Sequence, residues 1–131
     1  MLDPTLIIEK LQQIDEAIGR MERRFTDIHS PDDFLDTPEG LDKLDGIAMM
    51  LIAVGESVKK IDEETNGALL AICPDINWKG VKGVRNVLSH NYFNIDAEEI
   101  FFICQSNLKP LRNAVSHLIK KVSENGWPLT K

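Results

Sequence analysis

The recurrence of apolar residues at alternating steps of three and four constrains the fold of this chain more than any other feature. One such stretch follows Asp3–Pro4 and runs to about Ile28, and a second follows Thr37–Pro38 and runs to about Glu64. A capping residue with proline at the first helical position is a typical helix start. Steps of three and four put the apolar residues on one narrow stripe of a helix. The sequence therefore predicts two long amphipathic helices.

Helix-breaking residues separate these two helices from each other and from the next one. The segment from His29 to Asp36 contains proline and several aspartates, so we expect a loop in which Phe34 and Leu35 are available to fill the bundle. Asn66–Gly67 is a plausible stop for the second helix, and Pro74 ends a short apolar turn after it. A further helix is expected to begin after Pro74.

The last apolar stretch contains a proline. Asp96 with Glu99 three residues later resembles a capping box, and apolar residues then recur at steps of three and four to Val122. Pro110 lies inside this pattern, and its ring would crowd the carbonyl of Ser106. A last helix with a kink near Ser106 is therefore predicted.

Together these stretches predict an all-α protein, an antiparallel up-and-down bundle of four main helices with a kinked last helix. With 131 residues, 43% of them hydrophobic, the chain is long enough for one domain with a core, and we expect a single domain over 1–131. No apolar run approaches the length of a membrane span and the N-terminus shows no leader pattern, so a cytoplasmic protein is expected.

The residues from Trp78 to Phe93 differ from the rest of the chain in charge. The chain has a net charge of -6, but this stretch carries three cations, Lys79, Lys82 and Arg85, with no acidic residue between Asp75 and Asp96. On a helix of about 100° per residue, these cations lie opposite the apolar side with Asn86, Ser89 and His90. A basic helix face on an acidic protein would attract a phosphate-bearing ligand.

Arg85 and His90 are five residues apart, which puts them roughly 140° apart around an ideal helix. The two side chains therefore cannot reach the same small group from one regular helix. Either the helix is distorted between them or a second copy of the chain contributes.

A motif runs through this stretch. Its central part is Arg85-Asn86-x-x-x-His90-x-Tyr92. Before it comes Pro74-Asp75-Ile76-Asn77-Trp78, and after it comes Asn94-Ile95-Asp96. Earlier in the chain stands Gly55-Glu56-Ser57. In this order the residues resemble the R-x-x-x-x-H-x-Y signature of HepT-type toxins, which are small members of the HEPN superfamily of RNases. HEPN domains are helical bundles, so the resemblance and the periodicity predict the same architecture.

The resemblance implies a metal-independent RNA endonuclease, the toxin of a toxin–antitoxin system, whose site forms across a two-fold dimer with no cofactor. Arg85 and His90 would then be catalytic, because an imidazole can transfer protons near neutral pH and a guanidinium can hold a phosphate as charge develops. We expect Asn86 to position the phosphate or the ribose and Ser89 to line the groove, while Lys79 and Lys82 attract the RNA backbone. The sequence shows no H-x-x-x-H or E-x-x-H pattern, so no metal ligands are predicted.

HepT-type toxins pair with an MNT-type nucleotidyltransferase antitoxin, which adenylylates the tyrosine of the motif. By resemblance that residue is Tyr92, although a half-buried aromatic is an equal interpretation. Glu56 matches the Gly-Glu of the family and is a candidate to orient Arg85, with a solvated surface glutamate as the alternative. A second function remains open, a non-catalytic helical subunit that docks the nucleotidyltransferase, which the acidity of the chain favours.

Overall fold

A computed structural model describes residues 3–89 and 95–129, and within them it leaves the side chains of Arg85, Asn86, Val87 and Ser89 undescribed. The helices are α1 (Pro4–Phe25), α2 (Asp32–Leu35), α3 (Pro38–Glu64), α4 (Trp78–Ser89), α5 (Ala97–Ser106) and α6 (Leu108–Asn125), with a 3-10 turn at Leu70–Ile72. No strand occurs in the described ranges. The all-α prediction is confirmed, and its four main helices are α1, α3, α4 and the kinked pair α5–α6.

The two predicted helix starts are present. The Asp3 carboxylate accepts a hydrogen bond from the Thr5 backbone N–H at 2.9 Å. The Thr37 hydroxyl accepts one from the Gly40 backbone N–H, also at 2.9 Å. Each bond satisfies a backbone donor that has no partner within the helix. The caps therefore fix the first residues of α1 and α3 at the positions predicted from the sequence.

The end of the first helix was predicted wrongly. Helix α1 ends at Phe25, although the apolar spacing continues to Ile28. The Ile28 side chain is still buried, because the chain turns after the helix and carries it back against the core. A side chain can thus keep the apolar spacing without being helical.

The segment from His29 to Asp36 contains the short helix α2 rather than only a loop. Phe34 fills the core as expected and is fully buried, whereas Leu35 is 51% exposed and does not. Adjacent residues on a single helical turn point in different directions, so only one of the two can reach the core.

The kink in the last helix is confirmed. Helix α5 ends at Ser106 and α6 begins at Leu108, with Asn107 between them. Pro110 has no N–H to donate to the carbonyl four residues earlier, which is that of Ser106. At the start of α5, the Asp96 carboxylate accepts from the N–H groups of Glu98 and Glu99.

Helix α3 is the central element, in contact with α1 along one side and with α4 along another, while α6 packs on α1. The fully buried core includes Ile7, Ile14, Ile18, Phe34, Ile47, Ile61, Ile100 and Leu118. Burial raises the pKa of the Cys104 thiol to about 12, which keeps it neutral. In the part of the chain that the structure describes, no helix is long and apolar enough to cross a membrane.

Candidate functional site

The first turn of α4 is anchored from both sides of Pro74. The Trp78 indole N–H donates to the backbone carbonyl of Cys73 at 2.9 Å. The Asn77 side-chain carbonyl accepts from the Gly80 backbone N–H at 3.1 Å, which is the geometry of a helix N-cap. A side chain at Gly80 would lie 2.6 Å from the Asn77 amide nitrogen, so glycine makes room for this cap. These contacts fix where the predicted site helix begins.

Helix α4 lies unusually close to α3. A Cβ atom at Gly55 would be 2.8 Å from the backbone carbonyl oxygen of Val81 and 3.1 Å from a methyl group of Val84. Val81 and Val84 are half-buried, and Leu88 is buried one turn further along. The apolar side predicted for this helix therefore packs on α3.

The two predicted lysines differ in their surroundings. Lys79 is exposed in the first turn of α4. Lys82 is half-buried, and its ammonium nitrogen lies 2.7 Å from a carboxylate oxygen of Asp62 near the end of α3. The first lysine is thus available to a ligand in solution, whereas the second already has an anionic partner.

The structure places the other predicted residues only in part. Arg85, Asn86 and Ser89 belong to the described backbone of α4, in the two turns after Lys82. His90 and Tyr92 lie outside the described residues, so their predicted roles stay predictions. Glu56 is exposed on α3 directly after Gly55, which lies close to the backbone of α4.

Comparison with known protein families gives a match over most of the chain. The sequence model of the ribonuclease HepT-like family matches residues 14–118. The chain belongs to this family. The matched range begins within α1 and ends within α6, and it contains Glu56 and the whole predicted motif from Arg85 to Tyr92. No solved structure matches this fold.

Asp62 is the residue beside the candidate site that sequence reasoning missed. Gly55, Val58 and Asp62 follow one another at steps of three and four, and Asp62 therefore continues the stripe of α3 that faces α4. An acidic residue on an otherwise apolar stripe was the available signal. It did not name Lys82 as the partner, because the two are 20 residues apart in sequence.

An apolar groove of about 520 Å³ lies beside the same helix of this HepT-like chain. Val81 and Val84 of α4 line it together with Phe102 of α5, whose side chain is 59% exposed. On the helical wheel, Gly80 and Val84 lie on one side of Val81 and Lys82 lies on the other. The cationic positions 79, 82 and 85 form what we call the basic row of α4. By this helical geometry, the groove and the basic row lie on opposite flanks of the helix.

Proposed function

We propose that this HepT-like protein is a metal-independent RNA endonuclease and the toxin of a toxin–antitoxin system. The observation that carries the proposal is the family match over 14–118 together with the position of the Arg85 to Tyr92 motif. That motif begins on α4, which the close approach at Gly55 and the Asn77 cap hold in place. Catalysis requires groups held in fixed positions, so a firmly held helix start supports the proposal.

The proposed chemistry assigns different tasks to the two central residues. His90 transfers protons, taking one from the ribose 2′-hydroxyl or donating one to the leaving 5′-oxygen. Arg85 binds the phosphate and stabilises the charge that develops on its oxygens. Asn86 positions the phosphate or the ribose, and Ser89 lines the RNA-binding face of α4 beside them. Lys79 attracts the RNA backbone, and Lys82 does so to the extent that its partner Asp62 leaves its charge available. Glu56 orients Arg85 from α3.

We further propose that the site forms between two copies of the chain. Arg85 and His90 are roughly 140° apart on an ideal helix, so a second copy provides the partner for each. Gly83 supports this, because a side chain there would meet no described atom within 4 Å, which leaves that side of α4 open. Light scattering at micromolar concentration should show a dimer, and a strict monomer would contradict this step.

The proposed regulation rests on the family resemblance. An MNT-type nucleotidyltransferase antitoxin would adenylylate Tyr92, and the added phosphate would occupy the Arg85 site and exclude RNA. Co-expression with such a partner should raise the intact mass by one or more AMP groups, and Tyr92→Phe should prevent the increase. An unchanged mass with full neutralisation would indicate simple complex formation instead.

An RNA cleavage assay tests the enzyme proposal directly. We expect the wild-type protein to cleave single-stranded RNA in excess EDTA. His90→Ala should lose on the order of 100- to 10,000-fold in rate while RNA binding changes little, because the imidazole acts mainly in the transition state. The matched control is His117→Ala, which removes an exposed histidine on α6 and should leave the rate unchanged.

Arg85→Ala separates binding from catalysis in the same assay. The guanidinium contacts phosphate in the ground state and in the transition state, so its loss should weaken RNA binding and also slow cleavage. If His90→Ala cleaves at the wild-type rate, the enzyme proposal falls.

The second candidate function is a non-catalytic subunit that docks a nucleotidyltransferase. The net charge of -6 and the exposed Phe102 beside the groove favour it. Phe102→Ser separates the two functions, because Phe102 of α5 lines the groove, which lies on the flank of α4 opposite the basic row. It should weaken capture of the nucleotidyltransferase if the groove is the docking surface, and it should leave RNA cleavage intact.

A further inference from the structure

Two ion pairs near the end of α3 have nearly the same geometry and face different helices. Asp62 contacts Lys82 of α4 at 2.7 Å, with side chains 20% and 31% exposed. Glu64 contacts Lys10 of α1, also at 2.7 Å, with side chains 26% and 30% exposed. Positions 62 and 64 are about 200° apart around the helix, so the pairs lie on opposite faces of α3.

The pair with Lys82 lies in the row of residues proposed to bind RNA. Lys82 precedes Arg85 by three residues and Ser89 by seven, and residues at these spacings share one face of a helix. An RNA phosphate bound along this face would come close to Lys82 and to its carboxylate partner. Asp62 acts against that phosphate in two ways, since it repels the negative charge and occupies the ammonium group.

An ion pair that is partly shielded from water is screened less by salt than an exposed one. A phosphate that approaches Lys82 must therefore replace a contact of the same kind, one anion for another, and little net attraction results. Lys79 is exposed in the first turn of α4. Of these two lysines, Lys79 should contribute the greater part of the RNA attraction.

We propose that Asp62 restrains RNA binding by pairing with Lys82, which keeps the charge of this lysine from RNA bound along the basic row of α4. This inference rests on the proposed function and adds a residue that lowers its affinity for RNA. Removing the carboxylate should free Lys82 to contact a phosphate. The protein would then bind RNA more tightly and with a steeper dependence on salt.

The test measures binding of a fluorescent single-stranded 2′-O-methyl RNA, which lacks the 2′-hydroxyl and so cannot be cleaved through it. Asp62→Asn should tighten binding about three- to tenfold near 0.1 M salt and steepen the slope of log affinity against log salt by about 0.7, the value for one added phosphate contact. Glu64→Gln is the matched control. It removes the same charge from an equivalent pair but frees Lys10 of α1, so binding should not tighten comparably.

Combining the substitutions identifies the lysine responsible. In a Lys82→Met background, Asp62→Asn should no longer tighten binding. The proposal is overturned if the gain persists in that background, or if Glu64→Gln produces the same gain, because either result indicates a general effect of net charge.

Single lysine substitutions test the proposal without altering Asp62, should its variant fail to fold. Lys82→Met should weaken RNA binding less than Lys79→Met does, and the reverse order would overturn the proposal.

Failure of the proposed nuclease function gives a different result. If the binding pattern appears but unmodified RNA is never cut, the nuclease proposal falls and the role of Asp62 stands; if no variant binds RNA, both fall.

Discussion

At two of its glycines, helix α3 meets its two main neighbours through different kinds of groups. Toward α1, Gly46 faces the side chain of Arg24, and an added Cβ atom would lie 2.7 Å from the guanidinium Nε. Toward α4, Gly55 faces backbone, and an added Cβ atom would lie 2.8 Å from the Val81 carbonyl oxygen. The two distances are alike, but a long side chain can move away and a helix backbone cannot move without its helix.

The difference indicates how the bundle holds the proposed site. At Gly46, α1 presents a long side chain that can adjust, and Arg112 of α6 likewise reaches α1 through a long side chain, in ion pairs with Asp15 and Glu22. At Gly55, the backbone of α4 itself lies against α3. The position of the basic row on α4 is therefore set by Gly55 more than by any side chain at that contact.

Substitution of Gly55 should have the largest effect on this arrangement. Gly55→Ala must move α4 away from α3, and we expect it to lower the free energy of unfolding by about 1–3 kcal/mol, as overpacking does, less a gain in helix propensity. Urea denaturation measures this cost. RNA cleavage should fall as well, since the displaced helix carries Arg85.

The activity of Gly55→Ala should be measured at a temperature where the variant remains folded. A stable protein with unchanged unfolding energy would show that α4 can shift freely, and the contrast between the two contacts of α3 would then be wrong.

The next effect concerns the side-chain contacts of α1. The Arg112 guanidinium donates hydrogen bonds to the carboxylates of Asp15 and Glu22. These two bonds raise the pKa of Arg112, so its guanidinium remains charged. Arg112→Met should remove both ion pairs and cost about 1 kcal/mol, a value that allows for screening of these partly exposed groups by solvent. Thermal or urea unfolding would detect it.

The control for Arg112 is Arg20→Met, because Arg20 pairs with Glu16 on the same helix and is 48% exposed. Its loss should cost less than Arg112→Met. Equal costs would show that the contacts between α6 and α1 contribute no more than an exposed pair. RNA cleavage should be retained by both variants, since neither residue lies on α4 or on the side of α3 that faces it.

Local signals in the sequence predicted most of the fold. Proline and its neighbours fix backbone geometry within a few residues, which is why the starts at Pro4 and Pro38 and the break before Pro110 were correct. The end of α1 was missed because Ile28 keeps the apolar spacing after the helix has stopped at Phe25. Spacing reports which side chains are buried, and burial does not require the helix to continue.

The site was predictable only along one helix. The order of residues on α4 follows from helical geometry, so Lys79 and Lys82 could be placed on its polar side from sequence. The pairing of Lys82 with Asp62 depends on the register of α3 against α4, which no local pattern encodes. Gly55 was interpreted as part of a motif, and its packing role follows only from its distance to Val81.

The smallest effect is expected at Gly46, and it is the sharpest test of the comparison. Gly46→Ala makes the same chemical change as Gly55→Ala in the same helix, and alanine is favoured over glycine in a helix interior by roughly 1 kcal/mol. The new methyl group must displace only the Arg24 side chain. One guanidinium nitrogen of Arg24 is buried and finds no hydrogen-bond partner among the described residues, so displacement toward water would supply partners for it.

We therefore expect Gly46→Ala to be neutral or to stabilise the protein by up to about 1 kcal/mol in urea unfolding, with RNA cleavage unchanged. A cost as large as that of Gly55→Ala would show that Arg24 is held as firmly as the backbone of α4.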